Sequence, residues 1–166
     1  LIMSDIDGTI LDQNHQLDSH LLELIPLLKQ SDIPFVLASA RSPLGIAPIS
    51  KELGITDFPI ASYNGALIST GDKILSQHTI NKKELLLLHD FLTKEFPTVS
   101  INVYSEKDWY VNALDKWVEI EAQITGESPK VTSLADFLQE EQNLIHKLLL
   151  IGNAATIQKL KETLAT

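Results

Sequence analysis

The chain has no cysteine and a single arginine among its 166 residues. The absence of cysteine excludes disulfide scaffolds, thiol nucleophiles and zinc sites built on thiolates. A chain of this kind suits a reducing compartment, so we expect a cytoplasmic location. Long apolar runs are also missing, because stretches such as Leu85–Leu88 are far shorter than the roughly 20 residues of a membrane-spanning helix.

Positive charge is scarce as well. The chain carries 22 acidic and 13 basic residues, which gives a net charge of -9, and the basic residues form no patch. A surface of this sign repels nucleic acid and anionic membranes, so we expect neither as a partner. With 44% hydrophobic residues and only 7 glycines and 7 prolines, the composition is that of a folded globular protein. The oligomeric state stays open.

The first half of the chain alternates short apolar runs with helical patterns, which is typical of β-α-β units on a parallel sheet. A helix is predicted after Asp18-Ser19, with Pro26 expected to kink or shorten it, and a second helix is predicted from Pro43. Gly71-Asp72 predicts a tight turn between the last two strands. The predicted strands are 1–6, 34–40, 59–62, 66–70 and 73–78.

The pattern changes near Asn81, so we predict two units with the boundaries 1–80 and 81–166. Asn81 begins a long helix that runs to Phe96. A hairpin with one solvated face follows at 100–104 and 109–112. The later predicted elements are helices at 116–124, after Ser133 and after Asn153, and strands at 130–132 and 144–151.

The segment Asp5-Ile6-Asp7-Gly8-Thr9 is the strongest chemical signal. It follows the first predicted strand, at the edge where open α/β sheets bind ligands. On an extended chain the two carboxylates face the same side, which is electrostatically costly unless a cation lies between them. A solvated acidic turn is the alternative interpretation.

This segment resembles motif one of the haloacid dehalogenase superfamily, and neighbouring features resemble its Cof-type phosphatases. Those features are Ser39 within Val36–Arg41, the run Asn64-Gly65-Ala66, and the α/β unit that follows. The resemblance implies an α/β fold with two parts. The first is a Rossmann-like core with a parallel sheet, of which 1–80 is the N-terminal portion. The second is an inserted α+β cap at 81–166, which is incomplete at its C-terminal end.

The resemblance also implies catalytic roles. Asp5 is the nucleophile that forms an aspartyl phosphate, and Asp7 is the general acid and then the general base. Mg²⁺ is the implied cofactor, bound by the Asp5 carboxylate and the Asp7 backbone carbonyl.

Six further residues are implied to bind phosphate: Thr9, Ser39, Ala40, Arg41, Asn64 and Gly65. Ala40 replaces the glycine usual in the family, which predicts a tighter loop and leaves two roles open for Arg41, positioning a ligand or positioning a loop acid. A surface arginine is the alternative. Ser39, Asn64 and Gly65 are also common turn residues.

Two motifs implied by the resemblance are not visible: a lysine that screens the phosphorylated aspartate, and a second acidic segment. The family places both after the cap. We therefore expect the chain to be the first part of a longer enzyme and to be inactive alone.

The predicted function is Mg²⁺-dependent hydrolysis of a small organic phosphate monoester, such as a sugar phosphate, with this metabolite as the partner. A non-catalytic phosphate-binding or receiver-like regulatory domain is the alternative. On the hairpin, alternation sends Trp109 and Val111 to one face and Tyr110 to the other. One aromatic set is expected in the core, and the other could line a substrate cleft.

Overall fold

The computed structural model describes residues 1–12 and 16–165. The chain forms two compact units, Leu1–His78 and Thr79–Thr166. This division lies two residues before the boundary that the sequence predicts. The identification of the units as a catalytic core and a cap stays a prediction.

The first unit is built on a five-stranded sheet in which the strands follow one another in chain order. The first three strands are parallel, and the last two are added antiparallel. The predicted α/β fold with a parallel sheet is thereby confirmed. The strands are β1 (Ile2–Ser4), β2 (Phe35–Ala38), β3 (Ile60–Ser62), β4 (Leu67–Thr70) and β5 (Lys73–Gln77).

Two helices connect the parallel strands of this unit, α1 (Ser19–Gln30) and α2 (Pro43–Glu52). The Asp18 carboxylate accepts the His20 N–H, as the start signal Asp18-Ser19 predicts, and the Ser42 hydroxyl accepts the Gly45 N–H, so each helix has a side-chain cap. Pro26 does not shorten α1, which continues four residues beyond it.

The core of the first unit lies between these helices and one face of the sheet. Ile25 of α1, Leu37 of β2 and Ile46 of α2 are each at most 1% exposed and belong to the same cluster. Burying an aliphatic side chain of this size contributes about 1.5 to 3 kcal/mol. This packing fixes the strands, and therefore the loops at their ends.

The second unit contains a four-stranded sheet of order β8-β7-β6-β9 and four helices. In this unit the predicted elements all form, with ends shifted by a residue or two. Among the described residues, no helix is both long and apolar enough to cross a membrane. The strands are β6 (Ser100–Ser105), β7 (Asp108–Val111), β8 (Lys130–Val131) and β9 (Ile145–Ile151), and the helices are α3 (Lys82–Glu95), α4 (Lys116–Thr125), α5 (Leu134–Gln139) and α6 (Ala154–Leu164).

The prediction of a solvated face on the β6–β7 hairpin is wrong. Val103 packs in the cluster formed with α3 and α5, while Asn102, on the opposite face of β6, is completely buried. Apolar and polar residues do alternate along the hairpin, but the polar residues Ser100 and Asn102 form a buried hydrogen-bonded network and do not face solvent. The Trp109 indole N–H donates to Asn102 Oδ1 at 3.0 Å, and the Asn102 amide donates to Ser100 and to the Leu149 carbonyl.

The hairpin aromatics are all engaged in packing. Trp109 and Tyr104 are both 2% exposed and stack with their ring centroids 5.9 Å apart. Burial raises the pKa of the Tyr104 hydroxyl, which keeps it neutral. Tyr110 lies on the other face, as alternation predicts, and stacks on Phe137 at 4.1 Å. Both aromatic sets therefore pack against protein, and the expectation that one set lines a cleft stays a prediction.

We expect Asn102→Ala to lower the free energy of unfolding by about 2 to 4 kcal/mol, because it leaves the buried Trp109 N–H without an acceptor and opens a cavity. Denaturant unfolding of the natural protein that contains this chain measures the change. Gln123→Ala, at an exposed position of α4, is the control and should change stability by less than about 0.5 kcal/mol. A loss for Asn102→Ala no larger than that of the control would contradict the importance of the network.

Candidate active site

Three loops follow the three parallel strands of the first unit. Asp5–Thr9 follows β1, Ser39–Arg41 follows β2, and Tyr63–Gly65 follows β3. Because neighbouring parallel strands end at the same edge of a sheet, these loops converge there, at the usual ligand-binding edge of an open α/β fold. The residues selected from the sequence all lie in these loops.

The first loop turns around Ile6. The Ile6 side chain is completely buried, while Asp5 and Asp7 on either side are exposed. The Ile6 carbonyl accepts backbone N–H groups from Thr9, Ile10 and Leu11 at 3.1 to 3.3 Å. One anchored apolar residue therefore presents two carboxylates at the end of β1.

Arg41 holds the carboxylate of Asp7 in a two-point ion pair. Arg41 Nε lies 3.0 Å from Asp7 Oδ2, and Arg41 Nη2 lies 2.6 Å from Asp7 Oδ1. A planar guanidinium suits this geometry, and it favours the ionised form of the carboxylate. Of the two roles left open for Arg41, the structure shows contact with the loop acid.

Ser39 is buried at the end of β2, with 3% of its surface exposed. Its hydroxyl oxygen accepts the Arg41 backbone N–H at 3.2 Å, and its own N–H donates to the Ala61 carbonyl at 3.0 Å. The hydroxyl hydrogen can still be donated to a further acceptor. Binding of phosphate by Ser39 stays a prediction.

Ala40, which replaces the usual glycine, does not have a left-handed backbone. The non-glycine residues with positive φ lie elsewhere in the described chain. An alanine methyl group is compatible with negative φ, so this departure from the family pattern introduces no backbone strain.

The third loop is a tight turn over Tyr63–Gly65 that connects the antiparallel strands β3 and β4, and the Ala66 N–H closes it on the Tyr63 carbonyl at 3.1 Å. Asn64 and Gly65 are thus turn residues, as one interpretation of the sequence proposes. The Tyr63 N–H donates to the Arg41 carbonyl at 3.1 Å, and the Asn64 N–H donates to the Ser39 carbonyl at 2.8 Å. The turn is therefore bonded to the loop that carries Arg41.

These contacts link four of the predicted site residues, from Asn64 through Ser39 and Arg41 to Asp7. Thr9 is exposed and bonds through its backbone within the first loop. The direct phosphate contacts expected of Thr9, Ala40, Asn64 and Gly65 stay predictions. Sequence reasoning missed Tyr63, because a tyrosine carries no signal of an unusual backbone conformation.

The oxygen donors at this edge fit Mg²⁺. The Asp5 carboxylate is exposed at this edge, and it and the Asp7 backbone carbonyl are the ligands that the family resemblance implies. Mg²⁺ commonly takes one or two protein ligands and completes its octahedron with water and phosphate oxygens. Within residues 1–12 and 16–165, no group of three or more acidic or histidine side chains is placed to hold a metal.

The model of the haloacid dehalogenase-like hydrolase family matches residues 2–166. The chain belongs to this family. The resemblance carried by Asp5–Thr9, Ser39 and Asn64–Ala66 is thereby confirmed. The lysine and the second acidic segment of the superfamily are not assigned to residues of this chain.

Individual relatives are similar to the chain in sequence or in fold. A Haemophilus influenzae protein named as a candidate phosphatase is 31% identical over 162 residues, which are 96% of this chain and 59% of that protein. A haloacid dehalogenase-like hydrolase from Bacteroides thetaiotaomicron is 26% identical, with a TM-score of 0.82 over 98% of this chain and 62% of that one. A Thermotoga maritima protein has a TM-score of 0.86 at 21% identity, over 99% of this chain and 60% of that one. The chain thus spans about three fifths of the length of these relatives.

We expect that restoring the family glycine, Ala40→Gly, lowers the free energy of unfolding by about 0.4 to 1 kcal/mol, because it increases the freedom of the unfolded chain and relieves no strain in the folded one. Denaturant unfolding measures this. Gly54→Ala provides the contrast: Gly54 has φ +68° and open space around it, so alanine there should also destabilise, but through left-handed strain. A stability gain for Ala40→Gly would show that Ala40 strains the loop.

Proposed function

We propose that the natural protein containing this chain hydrolyses a small organic phosphate monoester, with Asp5 as the nucleophile. The observation that carries the proposal is the pair of carboxylates at the end of β1, one exposed and free of the arginine contact, the other held by Arg41. Membership of the haloacid dehalogenase-like hydrolase family supports it.

In the first step an Asp5 carboxylate oxygen attacks phosphorus, and the bond from phosphorus to the ester oxygen breaks. Asp7 gives its proton to the departing alkoxide. In the second step a water attacks the aspartyl phosphate while Asp7 takes the water proton, and inorganic phosphate leaves as the Asp5 carboxylate is restored. Covalent catalysis of this kind divides one difficult displacement into two easier ones.

Arg41 favours the ionised form of the Asp7 carboxylate, which is the form that the second step needs. General-base chemistry requires the ionised carboxylate, whereas general-acid chemistry requires a proton on Asp7. A phosphate group entering beside Asp5 competes for the guanidinium, since arginine binds phosphate and carboxylate with the same fork. We propose that this exchange releases Asp7 to be protonated for the first step.

The Asp5 carboxylate and the Asp7 carbonyl would hold Mg²⁺. The ion, when bound, supplies positive charge between the nucleophile and the phosphate, which otherwise repel each other. Ser39, at the neighbouring strand end, is the proposed hydroxyl donor to a phosphoryl oxygen, with Thr9, Asn64 and Gly65 as further phosphate contacts.

The proposed substrate is a small phosphorylated metabolite of the sugar phosphate class. The second unit, Thr79–Thr166, is the proposed cap, which would select the leaving group by its shape and a few polar contacts. A cytoplasmic location, expected from the absence of cysteine, completes the proposal.

We expect Asp5→Asn to abolish turnover of an aryl phosphate by the natural protein while it preserves folding, because an amide has the shape of the carboxylate but cannot attack phosphorus. The wild type should turn over this substrate with Mg²⁺ and lose activity after chelation. Initial rates and circular dichroism measure the two effects.

Asp57→Asn is the matched control, since Asp57 is an exposed acid of the same unit that pairs with Lys29 at 3.1 Å. This variant should retain wild-type turnover. Retained activity in Asp5→Asn would remove Asp5 as the nucleophile. A wild type that binds phosphate without turnover would favour the non-catalytic alternative.

A further inference from the structure

The turn after β3 has an unusual backbone. Three consecutive residues have positive φ: Tyr63 at 53°, Asn64 at 56° and Gly65 at 91°. Glycine adopts this region freely and asparagine tolerates it, but a bulky residue such as tyrosine is rarely found there. Tyr63 is also buried, with 5% of its surface exposed. Such strain persists only where the surroundings hold it, and it is concentrated at functional sites.

The left-handed conformation directs two successive N–H groups at the neighbouring loop. The Tyr63 N–H reaches the Arg41 carbonyl, and the Asn64 N–H reaches the Ser39 carbonyl. Successive N–H groups of an extended strand point in opposite directions. An ordinary continuation of β3 would therefore not bond both carbonyls.

The loop that receives these bonds is tied at each end. At Ser39, the N–H donates to the Ala61 carbonyl and the carbonyl accepts the Asn64 N–H. At Arg41, the carbonyl accepts the Tyr63 N–H. The Arg41 N–H donates to the Ser39 hydroxyl oxygen. From this fixed backbone the Arg41 side chain reaches Asp7. The contacts form one continuous path from the turn to the proposed acid-base residue.

We infer that the left-handed turn Tyr63–Gly65 is a positioning element for the proposed reaction: it sets the Ser39–Arg41 loop so that Arg41 meets Asp7 in two-point contact. The inference rests on the proposed function for its catalytic consequence. Asn64 acts through its backbone conformation, and its side chain is not required for this role.

The test compares two substitutions at Asn64. Valine is β-branched and resists positive φ, whereas glycine accepts it. In the natural protein, Asn64→Val should lower kcat for an aryl phosphate by about tenfold to a hundredfold, the cost of misplacing a catalytic group by about 1 Å. Asn64→Gly keeps the backbone conformation and removes only the side chain, which is a proposed phosphate contact, so kcat should fall clearly less than in Asn64→Val. If Asn64→Val does not fold, Asn64→Ala applies the same strain more mildly.

Asp32→Val is the matched control. Asp32 lies in the same unit with φ 54°, in the turn after α1 and outside the three loops. It should lose stability as Asn64→Val does but retain the wild-type kcat. An equal loss of kcat in Asp32→Val would show that general destabilisation explains the effect. Wild-type kcat in Asn64→Val, or a loss in Asn64→Gly equal to that in Asn64→Val, would overturn the inference.

A double variant tests whether the turn acts through Arg41. In an Arg41→Ala background, Asn64→Val should lower kcat by less than about twofold further, because groups that act in series are not additive. If Asn64→Val lowers kcat in the Arg41→Ala background as much as it does in the wild type, the proposed path through Arg41 is overturned. Arg41→Ala alone should lower kcat, since Asp7 loses the contact that positions it for the second step.

Amide hydrogen exchange separates this inference from the proposed function. In the wild type the Asn64 amide should exchange slowly, and it should exchange faster in Asn64→Val but not in Asn64→Gly. A wild type with no turnover and a protected Asn64 amide would overturn the proposed function and keep the turn as the element that fixes the loop. Exchange of the wild-type Asn64 amide as fast as an exposed loop amide would overturn the positioning role, whatever the activity.

Discussion

The ion pair between Arg41 and Asp7 joins the loops after β1 and β2 at the sheet edge where the chemistry is expected. Two carboxylates two residues apart repel each other, and their local field adds to that of a chain with net charge -9. The only arginine of the chain lies on one of these two acids. A lysine could supply the charge but not the planar two-point contact, so the choice of arginine sets the orientation of Asp7.

The geometry of this pair depends on the layers beneath it. The packing of α1 and α2 against the parallel strands fixes where β1, β2 and β3 end. Backbone hydrogen bonds then pass from the turn after β3 to the loop after β2, and the Arg41 side chain continues to Asp7. Helix packing thus fixes the strand ends, and the turn after β3 fixes the loop after β2. The strained backbone at Tyr63 therefore helps to fix the loop from which Arg41 contacts Asp7.

Periodicity and capping signals are sufficient to predict the order and type of the elements, because both arise from local physics. Asp18, Asn81 and Asn153 cap the helices that they were expected to begin. The solvated hairpin face was wrong because a buried asparagine with satisfied hydrogen bonds leaves the same alternating pattern as an exposed one. The Arg41–Asp7 contact and the φ of Tyr63 depend on residues distant in sequence, and no local pattern encodes them.

The central claim is that Asp5 carries the phosphoryl group during turnover, and chemical trapping tests it most directly. The natural protein is quenched rapidly while it hydrolyses an aryl phosphate, the acyl phosphate is reduced with borohydride, and the modified carboxyl group is located by peptide mass spectrometry. We predict that the reduced aspartate is Asp5, and that the signal vanishes when substrate is omitted. Trapping at another carboxylate, or turnover with no acyl phosphate at any time point, would contradict the mechanism.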